Sequence, residues 1–211
     1  MSKKTRKKTS SPSARGATSA KPGAKPGSEK RKSQSAPTSK KETAPAVRPK
    51  TTAPSRPQLG EGVRAPSFRL PRDGGGMVSL SDFAGQKLVL FFYPRANTPG
   101  CTREAVDFTR LSDAFARSGT VVLGISADPP KAQEAFRDKH GLSVPLLSDE
   151  THTTLQAYGA WGEKSLYGRT FLGLIRTTVL IGGNGRIRRI WRHVKVDGHA
   201  EAVLAAATAA D

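Results

Sequence analysis

Two short, unbroken apolar runs, Lys87–Tyr93 (KLVLFFY) and Thr120–Ser126 (TVVLGIS), do most to limit how this chain can fold. Neither alternates polar with apolar, so each reads as a strand buried on both faces, which requires a sheet covered on both sides. From Thr102 to about Ser118, Ala105, Phe108, Leu111, Ala114 and Phe115 recur at helical spacing. Pro129–His140 is expected as a second helix, with Asp128 as N-cap and proline in the first turn. Val144–Leu147 is a third strand candidate and Thr153–Tyr158 a short helix. Thr177–Ile181 and Arg186–Trp191 flank Gly182-Gly183-Asn184-Gly185, whose Asn-Gly pair signals a hairpin, and Gly198 to about Ala209 closes the pattern as a helix. Upstream, Ser67–Leu70 and Met77–Leu80 flank a second hairpin turn, Asp73-Gly74-Gly75-Gly76. Ser79–Gly85 (SLSDFAG) is expected as a short turn or helix capped by Ser81 or Asp82. Strand, helix, strand, helix, strand, then a hairpin and a helix, implies an α/β fold: a mixed sheet with helices on both faces.

Residues 1–57 cannot join such a core. They hold 16 Lys or Arg against two acids, Glu29 and Glu42, a balance of +14 out of the whole chain's +18, which leaves +4 for residues 58–211. Met1 and Val47 are the only large apolar side chains of that segment, and none of its residues is aromatic. Too little surface is available to offset the entropy of ordering, so 1–57 is predicted to be a disordered basic tail and 58–211 the folded domain. Nothing approaches the roughly 18 apolar residues of a membrane helix, and no apolar stretch follows the basic N-terminus as a secretory signal would require. One cysteine, Cys101, excludes an intrachain disulfide and suits a reducing compartment. The expected location is the cytoplasm, beside the nucleoid, or the nucleus in a eukaryote.

Cys101 stands between the loop that ends the first buried strand and the helix that follows. Unpaired N–H groups and the macrodipole at a helix N-terminus favour thiolate over thiol. A free thiol with pKa near 8.5 is only about 3% thiolate at pH 7, and a drop of two units makes it mostly the nucleophilic form. Glu104 argues the other way, as an acid in the first turn. His140, His152, His193 and His199 show no metal-ligand spacing, and nothing in the sequence places one beside Cys101 as a hydrolase would need. Tyr158, Trp161, Tyr167 and Phe171 are expected in packing or as a wall over the site, and Trp191 in the core or at a partner surface.

Pro94-Arg95-Ala96-Asn97-Thr98-Pro99-Gly100-Cys101 resembles the peroxiredoxin signature Pro-x-x-x-Thr-x-x-Cys. The branch it is most similar to is PrxQ, also called bacterioferritin comigratory protein. The resemblance spans about residues 59–206 and takes in SLSDFAG, GISAD at 124–128, YGAWGEKSLYGRTFLG at 158–173, Arg176-Thr177-Thr178 and VKVDGHAEAVL at 194–204. It implies a thioredoxin-like fold with an added N-terminal hairpin, and a peroxidase that needs no metal or cofactor. Cys101 would be the nucleophile. Thr98 would hydrogen-bond the thiolate and peroxide oxygens, Pro94 would shield the site from water, and Arg176 would stabilise thiolate and leaving oxygen. Much of that branch carries a second cysteine five residues after the first; here that position is Val106. The sulfenic acid formed from a hydroperoxide would then need an outside thiol: thioredoxin, glutaredoxin, glutathione, or Cys101 of a second subunit, the chain being a monomer or homodimer.

Two other functions compete. A thioredoxin-like thiol or glutathione oxidoreductase would use the same fold, but Thr98-Pro99-Gly100-Cys101 lacks the first cysteine of a Cys-x-x-Cys and Arg176-Thr177 stands where such proteins place a proline. A non-enzymatic DNA-associated protein would act through the tail. Lys3–Lys8 (KKTRKK) and Lys30–Lys32 (KRK) favour nonspecific, salt-sensitive binding to nucleic acid or another polyanion.

Overall fold

The computed structural model describes residues 59–166 and 169–210; the expected disorder of the tail and the place of Tyr167 lie outside them. A hairpin opens the fold, β1 (Arg69–Pro71) against β2 (Met77–Ser79), followed by one 3-10 turn, Leu80–Phe83. Ser79 caps that turn rather than Ser81 or Asp82; the Asp82 carboxylate accepts from the Ser79 N–H at 2.8 Å. Then come β3 (Lys87–Phe92), α1 (Pro99–Arg110), α2 (Ser112–Arg117), β4 (Thr120–Ser126), α3 (Pro130–His140), β5 (Leu146–Ser148) and α4 (Thr153–Ala157). An antiparallel ribbon, β6 (Trp161–Leu166) and β7 (Arg169–Leu174), precedes β8 (Thr177–Ile181), β9 (Ile187–Arg192) and α5 (His199–Ala209).

Five strands form the central sheet in the order β5-β4-β3-β8-β9. β3 runs parallel to β4, and β4 to β5; β8 and β9 are antiparallel additions, so the sheet is mixed as expected. The period-two geometry of β3 explains its unbroken apolar run. Leu88, Leu90 and Phe92 point into one core, with Leu70, Leu155 and Leu174. Val89, Phe91 and Tyr93 point into the other, with Phe108, Phe115, Phe136 and Val203. Both crossovers step the same way along the sheet, and right-handed connections therefore place α1, α2 and α3 on one face, where α5 joins them. The opposite face carries α4, the hairpin and the ribbon. Helices cover both faces, unequally.

Gly124 of β4 makes the helical face possible. A Cβ there would lie 2.6 Å from Phe91 Cζ and 2.8 Å from Leu146 Cδ2, so only glycine admits the Phe91 ring, which stacks on Phe108 at 4.6 Å between centroids.

Three further expectations are corrected. The first helix begins at Pro99, not Thr102, because proline suits the first helical position. It also breaks at Leu111 (φ −97°, ψ 4°) into α1 and α2. Asp128 does not cap α3: Pro129 is the N-cap and Pro130 follows, both without an N–H, and the Asp128 carboxylate turns elsewhere. The ribbon is not legible as strands in the sequence. Its alternation is broken by Gly162 and Gly173, which face each other across it.

Candidate active site

Strand register gathers the site. Phe92 pairs with Ile125 of β4 and with Thr177 of β8, so the loops after β3 and β4 and the residue before β8 meet at one end of the sheet. Ligand sites of parallel sheets form at this carboxyl end. Tyr93 is held there by its N–H on the Ile125 carbonyl, 3.1 Å, and the chain then bends at half-buried Pro94.

Cys101 sits in the first turn of α1, as its third residue rather than just ahead of the helix as the sequence pattern implied. The first intrahelical bond runs from the Thr102 N–H to the Thr98 carbonyl, 2.8 Å, which leaves the Gly100 and Cys101 amides without intrahelical partners. Cys101 is 1% exposed, walled by Tyr93, Ala105 and Phe108 of the helical core.

Arg176 reaches it from the start of β8, its backbone fixed by the Val194 N–H on its carbonyl at 3.1 Å. One guanidinium nitrogen lies 3.1 Å from Cys101 Sγ, and the other pairs with the Glu104 carboxylate. Burial works against the Arg176 charge, but Glu104 and the Cys101 sulfur outweigh it and hold its pKa above the ordinary arginine value.

Glu104, weighed in the sequence only as an argument against an electropositive site, is part of it. It lies three residues after Cys101 on the same helix face and is 1% exposed. Its Oε1 has no hydrogen-bond partner. Burial pushes its pKa up to about 7, against the lowering pull of Arg176. The acid therefore offsets the guanidinium charge only in part near neutral pH.

Thr98 is the N-cap residue of α1, yet its hydroxyl donates to the Arg95 carbonyl at 3.0 Å rather than to Cys101. The loop is held instead by Asp128, whose carboxylate accepts the Ala96 N–H at 2.8 Å. The residue that the sequence pattern assigns to a helix cap thus serves the loop of the thiol. His199, the histidine behind Arg176, bonds Thr178 at 2.8 Å, and burial followed by the Arg176 charge lowers its pKa to about 4, so it stays neutral. Tyr158 and Trp161 are packing: the Tyr158 hydroxyl donates to the Pro66 carbonyl at 2.7 Å, and Trp161 stacks on His152 at 3.8 Å. Trp191 packs half-buried beside the helical core, under Arg189. A cavity of about 500 Å³ lined by Phe68, Phe83, Leu88 and Ile181 lies at the opposite end of β3, and its lining among the described residues holds no cysteine, histidine or acid.

Comparison with known proteins agrees with this geometry. The model of the AhpC/TSA family matches residues 62–190. A putative peroxiredoxin of Coxiella burnetii is 45% identical over 143 residues, covering 68% of this chain and 95% of the relative. Peroxiredoxin Bcp of Escherichia coli is 41% identical over 146 residues, 69% of this chain and 94% of its own length. Among solved structures, a Xanthomonas campestris peroxiredoxin Q is 42% identical with a TM-score of 0.65, covering 67% of this chain and 90% of the other. A Xylella fastidiosa PrxQ is 37% identical with a TM-score of 0.69, covering 72% and 97%. Sequence, fold and the surroundings of the single thiol thus agree: the chain belongs to the AhpC/TSA family, as a thiol peroxidase of the Bcp/PrxQ kind.

Proposed function

We infer that Cys101 is the residue through which this thiol peroxidase reduces its hydroperoxide. The observation that carries this is the Arg176 guanidinium 3.1 Å from Sγ at the start of α1. A fixed positive charge and unpaired amides there stabilise negative charge on sulfur and on the oxygen that leaves. The thiolate attacks the nearer peroxide oxygen in line, the S–O bond forms as the O–O bond breaks, and RO⁻ departs to take up a proton as ROH. Cys101 is left as sulfenic acid. Thr98 spends its proton on Arg95, so its oxygen is an acceptor toward the peroxide O–H. Pro94 shields the loop side from water. Hydrogen peroxide and organic hydroperoxides both fit; the Xanthomonas campestris relative is described by its alkyl peroxide reduction activity.

With one cysteine in the sequence, the sulfenic acid is returned to thiol by an outside thiol. Thioredoxin is the reductant we favour, with glutaredoxin, glutathione or Cys101 of a second copy as alternatives. Because Cys101 is 1% exposed, a protein thiol reaches it only once the first turn of α1 gives way. The tail at 1–57 would hold a cytoplasmic enzyme near nucleic acid, through its +14 balance.

Intact mass after one equivalent of hydrogen peroxide tests the core of this. Wild type gains one oxygen or a Cys101-linked dimer, and Cys101→Ser gains neither; equal oxidation of both would refute it. Removing residues 1–57 should keep peroxidase activity and abolish low-salt retention on DNA. Undiminished retention would move the polyanion site into the folded domain.

A further inference from the structure

Between Tyr93 and α1, the turn at Ala96 and Asn97 has two side-chain anchors from elsewhere in the fold, and they flank α3. His140, its last residue, meets Asn97 Oδ1 at 3.2 Å, and Asp128, just before it, accepts the Ala96 N–H at 2.8 Å. Asn97 is in the left-handed region, φ 59°, which asparagine tolerates but which still needs holding.

Asp128 is itself fixed by a bonded network. The Ser126 hydroxyl donates to the same Asp128 oxygen at 2.8 Å, and accepts from the Asp128 N–H at 3.1 Å and from Gln133 Nε2 at 2.8 Å, which uses its one proton and both lone pairs. Gln133 Nε2 also donates to the Leu147 carbonyl at 3.1 Å, and the Tyr93 hydroxyl donates to Gln133 Oε1. Burial holds the Tyr93 phenol protonated by pushing its pKa far above the ordinary value. The network therefore starts at Tyr93, the residue before the loop, and returns through Gln133, Ser126 and Asp128 to the loop's centre. Tyr93, Gln133 and Ser126 are fully buried. A satisfied buried network of this kind is rigid.

We propose that Asp128 is a positioning residue for peroxide reduction, acting through the Ala96 amide on the loop that presents Thr98 and opens the helix of Cys101. In-line displacement needs sulfur, oxygen and their donors within a few tenths of an ångström, and a misplacement of about 1 Å costs about 100-fold. Asp128 touches neither sulfur nor peroxide, so its loss changes alignment and not the nucleophile. The inference rests on Cys101 being the residue that meets the peroxide.

The test uses full-length wild type, Asp128→Ala and Asp128→Asn. Oxidation of Cys101 by hydrogen peroxide is timed by stopped flow, and alkylation of the same thiol by iodoacetamide is timed in parallel. Alkylation demands no fixed alignment with the loop. Asp128→Ala should lower the ratio of oxidation rate to alkylation rate by about 30-fold or more. Asp128→Asn, whose amide oxygen still accepts the Ala96 N–H, should stay within about threefold of wild type. Should Asp128→Ala fail to fold, Asp128→Ser, too short to span to Ala96, takes its place. An unchanged ratio, a parallel fall of both rates, or an Asn variant no better than Ala would each overturn the inference alone. Peroxide consumption by Cys101→Ser would overturn the assignment of Cys101 and this inference with it.

Discussion

Replacing Glu104 by glutamine separates two tasks of that side chain, gripping Arg176 and carrying a charge. Burial raises the Glu104 pKa from 4.5 to about 7 in the folded protein. A carboxyl with a raised folded pKa stabilises the fold in its protonated form. That contribution is fully present below pH 4.5 and is lost as pH rises through about 7. At about 1.36 kcal/mol per unit, the loss between pH 5 and pH 8 integrates to about 2–3 kcal/mol. The Glu104→Gln variant would carry no such dependence while keeping an acceptor oxygen for the guanidinium. Wild type should therefore lose about 2–3 kcal/mol relative to Glu104→Gln on going from pH 5 to pH 8, on the order of 1 M in the urea midpoint. His199 acts in the opposite sense, since its lowered pKa favours the fold above about 6.5 and withdraws that support as pH falls towards about 4. Both proteins contain His199, so the difference between their midpoints removes it. A difference that stays constant across the pH range, or one in which wild type gains on the variant as pH rises, would refute the reasoning. The second outcome would mean that the Arg176 pairing prevails over burial.

Arg176→Ala removes a charged donor 3.1 Å from Sγ and should slow Cys101 oxidation by about 100-fold or more, read by stopped flow. It also strands Glu104 in the core, so at pH 8 it should be destabilised by about 3 kcal/mol or more, whereas Arg176→Ala combined with Glu104→Gln should recover stability without recovering rate. Recovery of rate in the double variant would show that Arg176 serves only to neutralise the acid. Gly124→Ala presses a methyl on Phe91 and Leu146 and should cost about 1–3 kcal/mol, seen as a lower thermal midpoint; an unshifted midpoint would contradict the close approach at that strand.

The parts of this fold that are legible from sequence are those decided by neighbours along the chain. β4 occupies Thr120–Ser126 as its apolar run implied, and α5 starts after Gly198, whose φ of 69° ends the preceding turn. Both hairpins form at their glycine turns because those turns need positive φ at Gly74, Gly75, Gly76 and Gly185. The ribbon of β6 and β7 escapes because its stability lies in contacts that no local pattern records. Lys164 of the facing strand lies against the position of a Gly173 Cβ, and Ile175 against that of Gly162, so side chains from across the ribbon and beyond its end fill the gaps that break the alternation.

The same division runs through the site. Thr98, Cys101 and Arg176 stand out by type and spacing, but what each does electrostatically is set by partners far away in sequence. Glu104 looks hostile to a reactive thiol because helix position alone makes an acid there raise the cost of a second negative charge. Register brings Arg176 from 72 positions later to lie between the two, where it pairs with the acid and still faces the sulfur. Burial then keeps the acid partly protonated, so the guanidinium is not wholly spent on it. Asp128 resembles a cap by a rule that places the following proline first in the helix; the first helical residue is Pro130 and not Pro129, so Asp128 falls one position outside and its carboxylate is left for the Ala96 amide. In both cases the residue type is right for a local role, and the sheet register reassigns it to the end of the molecule where the thiol lies.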